Sequence, residues 1–110
     1  MTRRWPGRRA VMRMMLKATL DTPTATKAIQ AGRMPEVMQS VMEKLKPEAA
    51  YFGPNDGQRC AFIIFDMDDP SQMPMLTEPL FGELNARVEL FPVMDREDLV
   101  RGLSQLGDGK

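Results

Sequence analysis

The 110-residue chain has no histidine and only one cysteine, one tryptophan and one tyrosine. Histidine is the side chain whose ordinary pKa lies nearest neutrality, and the commonest metal ligand. Its absence removes any Ser-His-Asp triad and any Cys-His pair. The one thiol, Cys60, can close no intrachain disulfide and join no thiolate cluster. It lies in an apolar run with no base beside it, so it reads as a buried core residue in a reduced, cytoplasmic protein. Long apolar runs are also missing, and no stretch is long enough to span a membrane. Arg13 and Lys17 interrupt the one early stretch that could form the core of a secretory signal. Neither common glycine-rich phosphate loop is present, which leaves nucleotide binding without its usual cradle.

Acidic residues are absent before Asp21, while Arg3, Arg4, Arg8, Arg9 and Arg13 precede it. Fifteen basic and fifteen acidic residues balance overall, so the remainder is net acidic. A basic arm of this kind suits nucleic acid or an anionic surface. Yet Trp5, Pro6 and Gly7 sit among the arginines without periodicity, and Met12, Met14 and Met15 offer alternative starts. Residues 1–10 are therefore expected to be an irregular, dispensable extension or a misassigned start. Arginines without acids also fit an organelle presequence, whereas Arg3-Arg4 lacks the hydrophobic run of a twin-arginine signal. We expect neither nucleic acid nor membrane as a partner.

One domain is expected over residues 11–107, followed by a tail at 108–110. A chain this long buries about two thirds of its unfolded surface, so a deep pocket forms more easily between two copies. From Met12 to Leu20, apolar residues alternate with Arg13, Met15, Lys17 and Thr19 at the period of a strand with one buried face. Thr22 before Pro23 predicts an N-cap, and Gly32 a helix stop after Ala31. Met34, Val37, Met38, Val41, Met42 and Leu45 recur at helical spacing from about Pro35. A strand from Ala49 to Phe52, an Asp56-Gly57 turn and a return strand from Arg59 to Met67 predict a hairpin. Asp69 or Ser71 caps the next helix, which Pro74 and Pro79 should keep short or kinked. Its apolar side is Leu76, Leu80, Phe81 and Leu84. A strand from Arg87 to Phe91 and a helix from Asp95 to Gly107 close the pattern.

This order is β-α-β-β-α-β with an extra C-terminal helix, an α+β unit with a four-stranded antiparallel sheet. The eleven methionines fit an adaptable peptide-binding surface, but they fall in register with Val and Leu and are better read as a methionine-rich core. The return strand is apolar on both faces, with Cys60, Phe62 and Ile64 on one and Ala61, Ile63, Phe65 and Met67 on the other. Its helices can cover only one side of the sheet. The other, expected to carry Ile63 and Phe65, calls for a second subunit, and hence a symmetric homodimer.

Chemistry-bearing residues are few. Ile64-Phe65-Asp66-Met67-Asp68 looks like the nucleophile motif of haloacid-dehalogenase-type phosphatases. Asp69-Pro70 replaces the Gly-Thr that follows there, however, and too little chain remains for the parallel sheet that motif needs. A divalent cation on Asp66, Asp68 and Asp69 would want more oxygen ligands than this loop offers. RNA on the sheet would need exposed aromatics such as Phe62 or Phe65 on a basic surface. What remains is a pocket formed at the sheet, with Lys17, Tyr51, Arg59, Arg87 and Glu89 on strands and Glu78 and Asn85 flanking the second main helix. Converging in an apolar cavity, they would orient an organic molecule, with Tyr51 or a desolvated Glu moving a proton. Otherwise they are rim ion pairs and dimer contacts.

Leu45-Lys46-Pro47-Glu48-Ala49-Ala50-Tyr51-Phe52, Phe65-Asp66-Met67-Asp68-Asp69-Pro70-Ser71-Gln72, Glu78-Pro79-Leu80-Phe81, Leu84-Asn85-Ala86 and Pro92-Val93-Met94 carry a resemblance. Over Met12 to Leu106 the chain resembles a small bacterial branch of the dimeric α/β-barrel superfamily of ferredoxin-like subunits. The superfamily includes muconolactone isomerases, cofactor-independent monooxygenases of aromatic polyketides and haem-degrading enzymes. The resemblance implies sheets paired face to face in a homodimer. It carries over no catalytic residue, since relatives that use a histidine as ligand, acid or base have no counterpart here. The expected function is to bind or convert a small hydrophobic organic molecule in a barrel pocket, with no metal, haem or other cofactor. The alternative is a noncatalytic homodimeric regulatory or interaction module.

Overall fold

The structure, a computed structural model, describes residues 11–108. The arginine-rich first ten residues and the last two, with the expectations made for them, lie outside it. Strand β1 (Met12–Thr19) alternates as expected, with Met14, Leu16 and Ala18 buried and Arg13, Met15 and Lys17 partly exposed. Helix α1 (Thr22–Gln30) is capped by Asp21 rather than Thr22. The Asp21 carboxylate accepts from the Thr24 hydroxyl at 2.6 Å and from its backbone N–H at 3.1 Å, so two orphan donors of the first turn share one acceptor. Gly32, at φ +74°, turns the chain into α2 (Met34–Leu45), in the left-handed region that glycine enters without strain. Val37, Val41 and Leu45 are its buried stripe.

Strand β2 (Ala49–Asn55) runs three residues beyond the expected Phe52. Asp56 and Gly57 both take positive φ, +56° and +77°, making the tight turn that lets pairing with β3 (Gln58–Met67) continue to Asn55 opposite Gln58. Pro54 is tolerated because β2 is a sheet edge. Asp69 caps a short 3-10 turn over Pro70–Gln72 in a reciprocal capping box with Gln72. Helix α3 (Met73–Leu84) follows with Pro74 in its first turn, continues through Pro79 and buries Leu76, Leu80 and Leu84. Asn85, left-handed at φ 48°, ends it. Strand β4 (Arg87–Pro92) leads to α4 (Arg96–Asp108), which passes Gly107 by one residue. Asp95 and Asp98 cap α4 reciprocally, Asp95 Oδ1 accepting from Asp98 N–H at 2.8 Å and Asp98 Oδ2 from Asp95 N–H at 3.2 Å.

The strands lie in the order β2-β3-β1-β4, every neighbouring pair antiparallel. Strand β3 thus separates β1 from β2, and β1 separates β3 from β4, the two split βαβ units of a ferredoxin-like α+β fold. Helices α1, α2 and α3 contribute Ala25, Ala28, Val41, Leu80 and Leu84 to the core on one face, against Leu16, Ile63 and Phe65 of the sheet.

One expectation is corrected. Ile63 and Phe65 lie beneath the helices, each 1% exposed, and the open face carries Phe62 and Ile64. Register is the reason. Leu16 pairs with Ile63 and Lys17 with Phe62, so the odd-numbered residues of β3 share the apolar side of β1 and the even-numbered ones share the side bearing Arg13 and Lys17. Cys60 is a buried free thiol, with Sγ 3.8 Å from the Thr19 hydroxyl. Among the described residues, no helix is long and apolar enough to cross a membrane.

Candidate functional site: an apolar cavity and an open sheet face

The seven residues expected to share a pocket divide between the two sides of the sheet. Lys17, Tyr51 and Glu89 are on the open face. Lys17 pairs in register with Phe62 on one side and Glu89 on the other; its ammonium is 3.8 Å from Glu89 Oε1 and 6.0 Å from the centre of the Phe62 ring. Tyr51 sits opposite Phe62 on the edge strand and is exposed. Arg87 shares this face, opposite Thr19. Arg59 is on the helix side, where its Nη1 donates to the Thr26 hydroxyl of α1 at 3.3 Å. Glu78 is an exposed residue of α3 and Asn85 caps that helix, its side chain hydrogen-bonding Asp21.

Apolar side chains make up most of the open face. Met15 pairs with Ile64 and Phe91; Met15, Phe62 and Ile64 are only partly buried and Phe91 is exposed. At its edge Arg13 donates from Nε to Glu48 Oε1 at 2.7 Å and lies 3.1 Å from Asp95 and 3.5 Å from Asp98. Glu48 first, and then Asp95, raise the already high Arg13 pKa. In turn Asp95 is held below the ordinary carboxylate range, by the Asp98 N–H first and by Arg13. Arg13 thus ties the start of α4 to the sheet. The apolar side of α4 beyond it, Leu99, Val100, Leu103 and Leu106, is exposed.

On the helix side a cavity of about 480 Å³ opens between the α1–α2 junction and the β2–β3 hairpin. Ile29 and Met34 border it from the helix ends, Met38 from α2, and Phe52 and Pro54 from the edge strand, with Leu20 and Ala61 also in its lining. Ile29 and Phe52 are 46% and 60% exposed, so these two walls face solvent. Among the described residues Arg59 is the one charged residue in the lining. The volume is that of an ordinary small-molecule site. Of the sequence candidates only Arg59 belongs to it. The rest were hidden because Met34 and Met38 keep the same helical spacing as Val37 and Val41, which do reach the core. Phe52, falling two residues after Ala50 on the helix side of an edge strand, was the available signal.

The acidic motif Asp66-Met67-Asp68 ends an antiparallel strand, which removes the parallel-sheet phosphatase reading. Among the described residues, no three His, Cys, Asp or Glu side chains are grouped to hold a metal ion.

Comparison with curated proteins gave no match. Among solved structures the fold is similar to that of an uncharacterised protein from Thermotoga maritima, at a TM-score of 0.52 and 14% identity over 76% of this chain and 99% of that one. At that identity the likeness is one of fold alone. Residues 12–107 match the family described as Domain of unknown function (DUF3303), and the chain belongs to that family.

Proposed function

We propose that this protein binds a small apolar organic molecule in the cavity between α1, α2 and the β2–β3 hairpin, and that it does so as a cytoplasmic homodimer of the dimeric α/β-barrel kind. The observation that carries the reading is the cavity itself, a volume of about 480 Å³ walled by Ile29, Met34, Met38 and Phe52. Apolar surface left in water costs about 25 cal/mol per Å², so a ligand that covers these walls gains affinity. Methionines on two sides let the walls follow the shape of the guest. The lining holds no carboxylate, tyrosine or lysine among the described residues, which favours binding over proton-transfer chemistry. The pocket then belongs to each subunit, between sheet and helices, and not to the space between two sheets.

The second reading, a noncatalytic dimeric module, is favoured by a separate observation. Met15, Phe62, Ile64 and Phe91 form an apolar patch on the face that α1, α2 and α3 leave bare, and such patches mark association surfaces. The free thiol of Cys60 is consistent with a reducing compartment.

A thermal-shift screen with neutral aromatic and aliphatic compounds, 1-naphthol among them, tests the binding reading, because a ligand of the native state alone raises the melting temperature. Ile29→Trp, at a half-exposed position bordering the cavity, fills it without loading the core. We expect stabilisation of the parent protein and none of the variant. Equal shifts in both, or no shift in either, would remove the cavity as the site.

A further inference from the structure

We infer that the molecule held in this cavity is an apolar monocarboxylate, its hydrocarbon body on the Met34, Met38 and Phe52 walls and its carboxylate on Arg59. The inference rests on the preceding reading that the cavity is a ligand site, and adds the ligand's charge and orientation. Among the described residues Arg59 is the one charged residue bordering the cavity; it is exposed, with its guanidinium on Thr26 at the rim, so an acid can bury its body while its head stays at the solvent edge and avoids the cost of a buried charge.

Partners of the arginines support this placement. Arg13 pairs with Glu48, Asp95 and Asp98, Arg33 with Glu83, and Arg101 with Asp98. Arg59 has no carboxylate among the described residues; its side-chain partner is the neutral Thr26 hydroxyl. Arg87 and Arg96 also have no carboxylate partner there, but neither borders the cavity. A guanidinium presents five N–H donors in a rigid fork. The Thr26 bond uses one and fixes the head between β3 and α1, leaving donors for a bidentate carboxylate. Thr26 is in this scheme a positioning residue and Arg59 the contact. Size sets the body at a medium-length alkyl chain or a single aryl ring with a short linker, well within about 480 Å³.

Matched probes separate charge from shape. We would titrate octanoate against octanamide, and hydrocinnamate against hydrocinnamamide, into the full chain at neutral pH by calorimetry, with Arg59→Met and Thr26→Val alongside. Both substitutions lie at positions that are not core, and the unfolding midpoint of each variant verifies its fold. The expected result is that at least one acid binds the parent about tenfold tighter than its amide, roughly 1.4 kcal/mol. Arg59→Met should bring that acid to the affinity of its amide and leave the amide unchanged, while Thr26→Val should give an intermediate loss for the acid alone. Added salt should weaken the acid and not the amide. Amides that bind as well as acids, or an Arg59→Met variant that weakens both alike, would overturn the carboxylate assignment and leave the cavity as an apolar site. Failure of all four probes, with no neutral compound shifting the melting temperature either, would remove the cavity reading and this inference together.

Discussion

Lys17 and Glu89 face each other across the β1–β4 ladder on the open side of the sheet, Nζ 3.8 Å from Oε1, with the Phe62 ring on the other flank of the lysine. They are a charged pair within an apolar surface, half-exposed in the single chain. A subunit laid over this face would exclude water from the pair, and removing one partner would then leave the other buried and alone.

The first prediction follows from that surface. Light scattering on the full chain at micromolar concentration should give twice the chain mass, and Phe62→Glu should give one chain mass with the fold retained. Glu89→Gln should weaken association more than it lowers the unfolding midpoint of the monomer. A parent protein that is monomeric under these conditions would remove the dimer.

The faces of β3 can be told apart by truncation. Phe65→Ala should lower unfolding free energy by about 3–5 kcal/mol, the usual cost of emptying a fully buried phenylalanine site. Phe62→Ala, at a partly exposed position, should cost the monomer less than half as much. Chemical denaturation measures both. The reverse ranking would mean that the helices cover the other face.

Acid should loosen two helix starts. Asp21 is held below its ordinary carboxyl value of 3.8 by the Thr24 hydroxyl and then the Thr24 N–H, and Asp95 below the same value by the Asp98 N–H and by Arg13. Each carboxylate binds fewer protons folded than unfolded, so the stability it contributes is complete above the ordinary value and is lost as pH falls through the lower folded one. Asp95→Asn should therefore be less stable than the parent at neutral pH, with a gap that narrows below about pH 4. Hydrogen exchange in α4 should rise in Asp95→Asn and in Arg13→Ala, since Arg13 ties that helix to the sheet.

Glycine positions give a paired test of backbone conformation. Gly82 on α3 and Gly102 on α4 have open space where a Cβ would go and no positive φ, so Gly82→Ala and Gly102→Ala should each add roughly 0.5–1 kcal/mol. Gly57→Ala at φ +77° should cost about 1 kcal/mol or more, because the left-handed region disfavours a Cβ. Thermal unfolding of the three variants measures this directly.

The architecture was legible because local signals agree. Alternation in Met12 to Thr19, the Asp56-Gly57 turn and the Leu76, Leu80, Leu84 spacing each specify one element, and short links leave few topologies. The face of β3 was not legible, because Ile63 and Phe65 are no more apolar than Phe62 and Ile64. Only pairing with Leu16 and Lys17 decides it. The N-cap was misplaced by one residue because Asp21 and Thr22 are both good caps, and a carboxylate can take two Thr24 donors at once. The cavity was hidden for a related reason. It is made by residues at core spacing that fail to meet a partner, and a missing partner leaves no mark on periodicity. Arg59 stood out as a charge inside a hairpin strand, whereas Lys17, Tyr51 and Glu89 share its strand context and face the other way.

The methionines allow one experiment to read both faces of the sheet. Met34 and Met38 border the cavity, and Met15 lies on the open face. Methyl NMR on methionine-labelled protein during titration with octanoate or hydrocinnamate, or with 1-naphthol, should move Met34 and Met38 and leave Met15 in place, while dilution should move Met15 alone. Ligands that shift Met15 with Met34 and Met38 unmoved, or that shift none of the three, would contradict a ligand site between the helices and the hairpin.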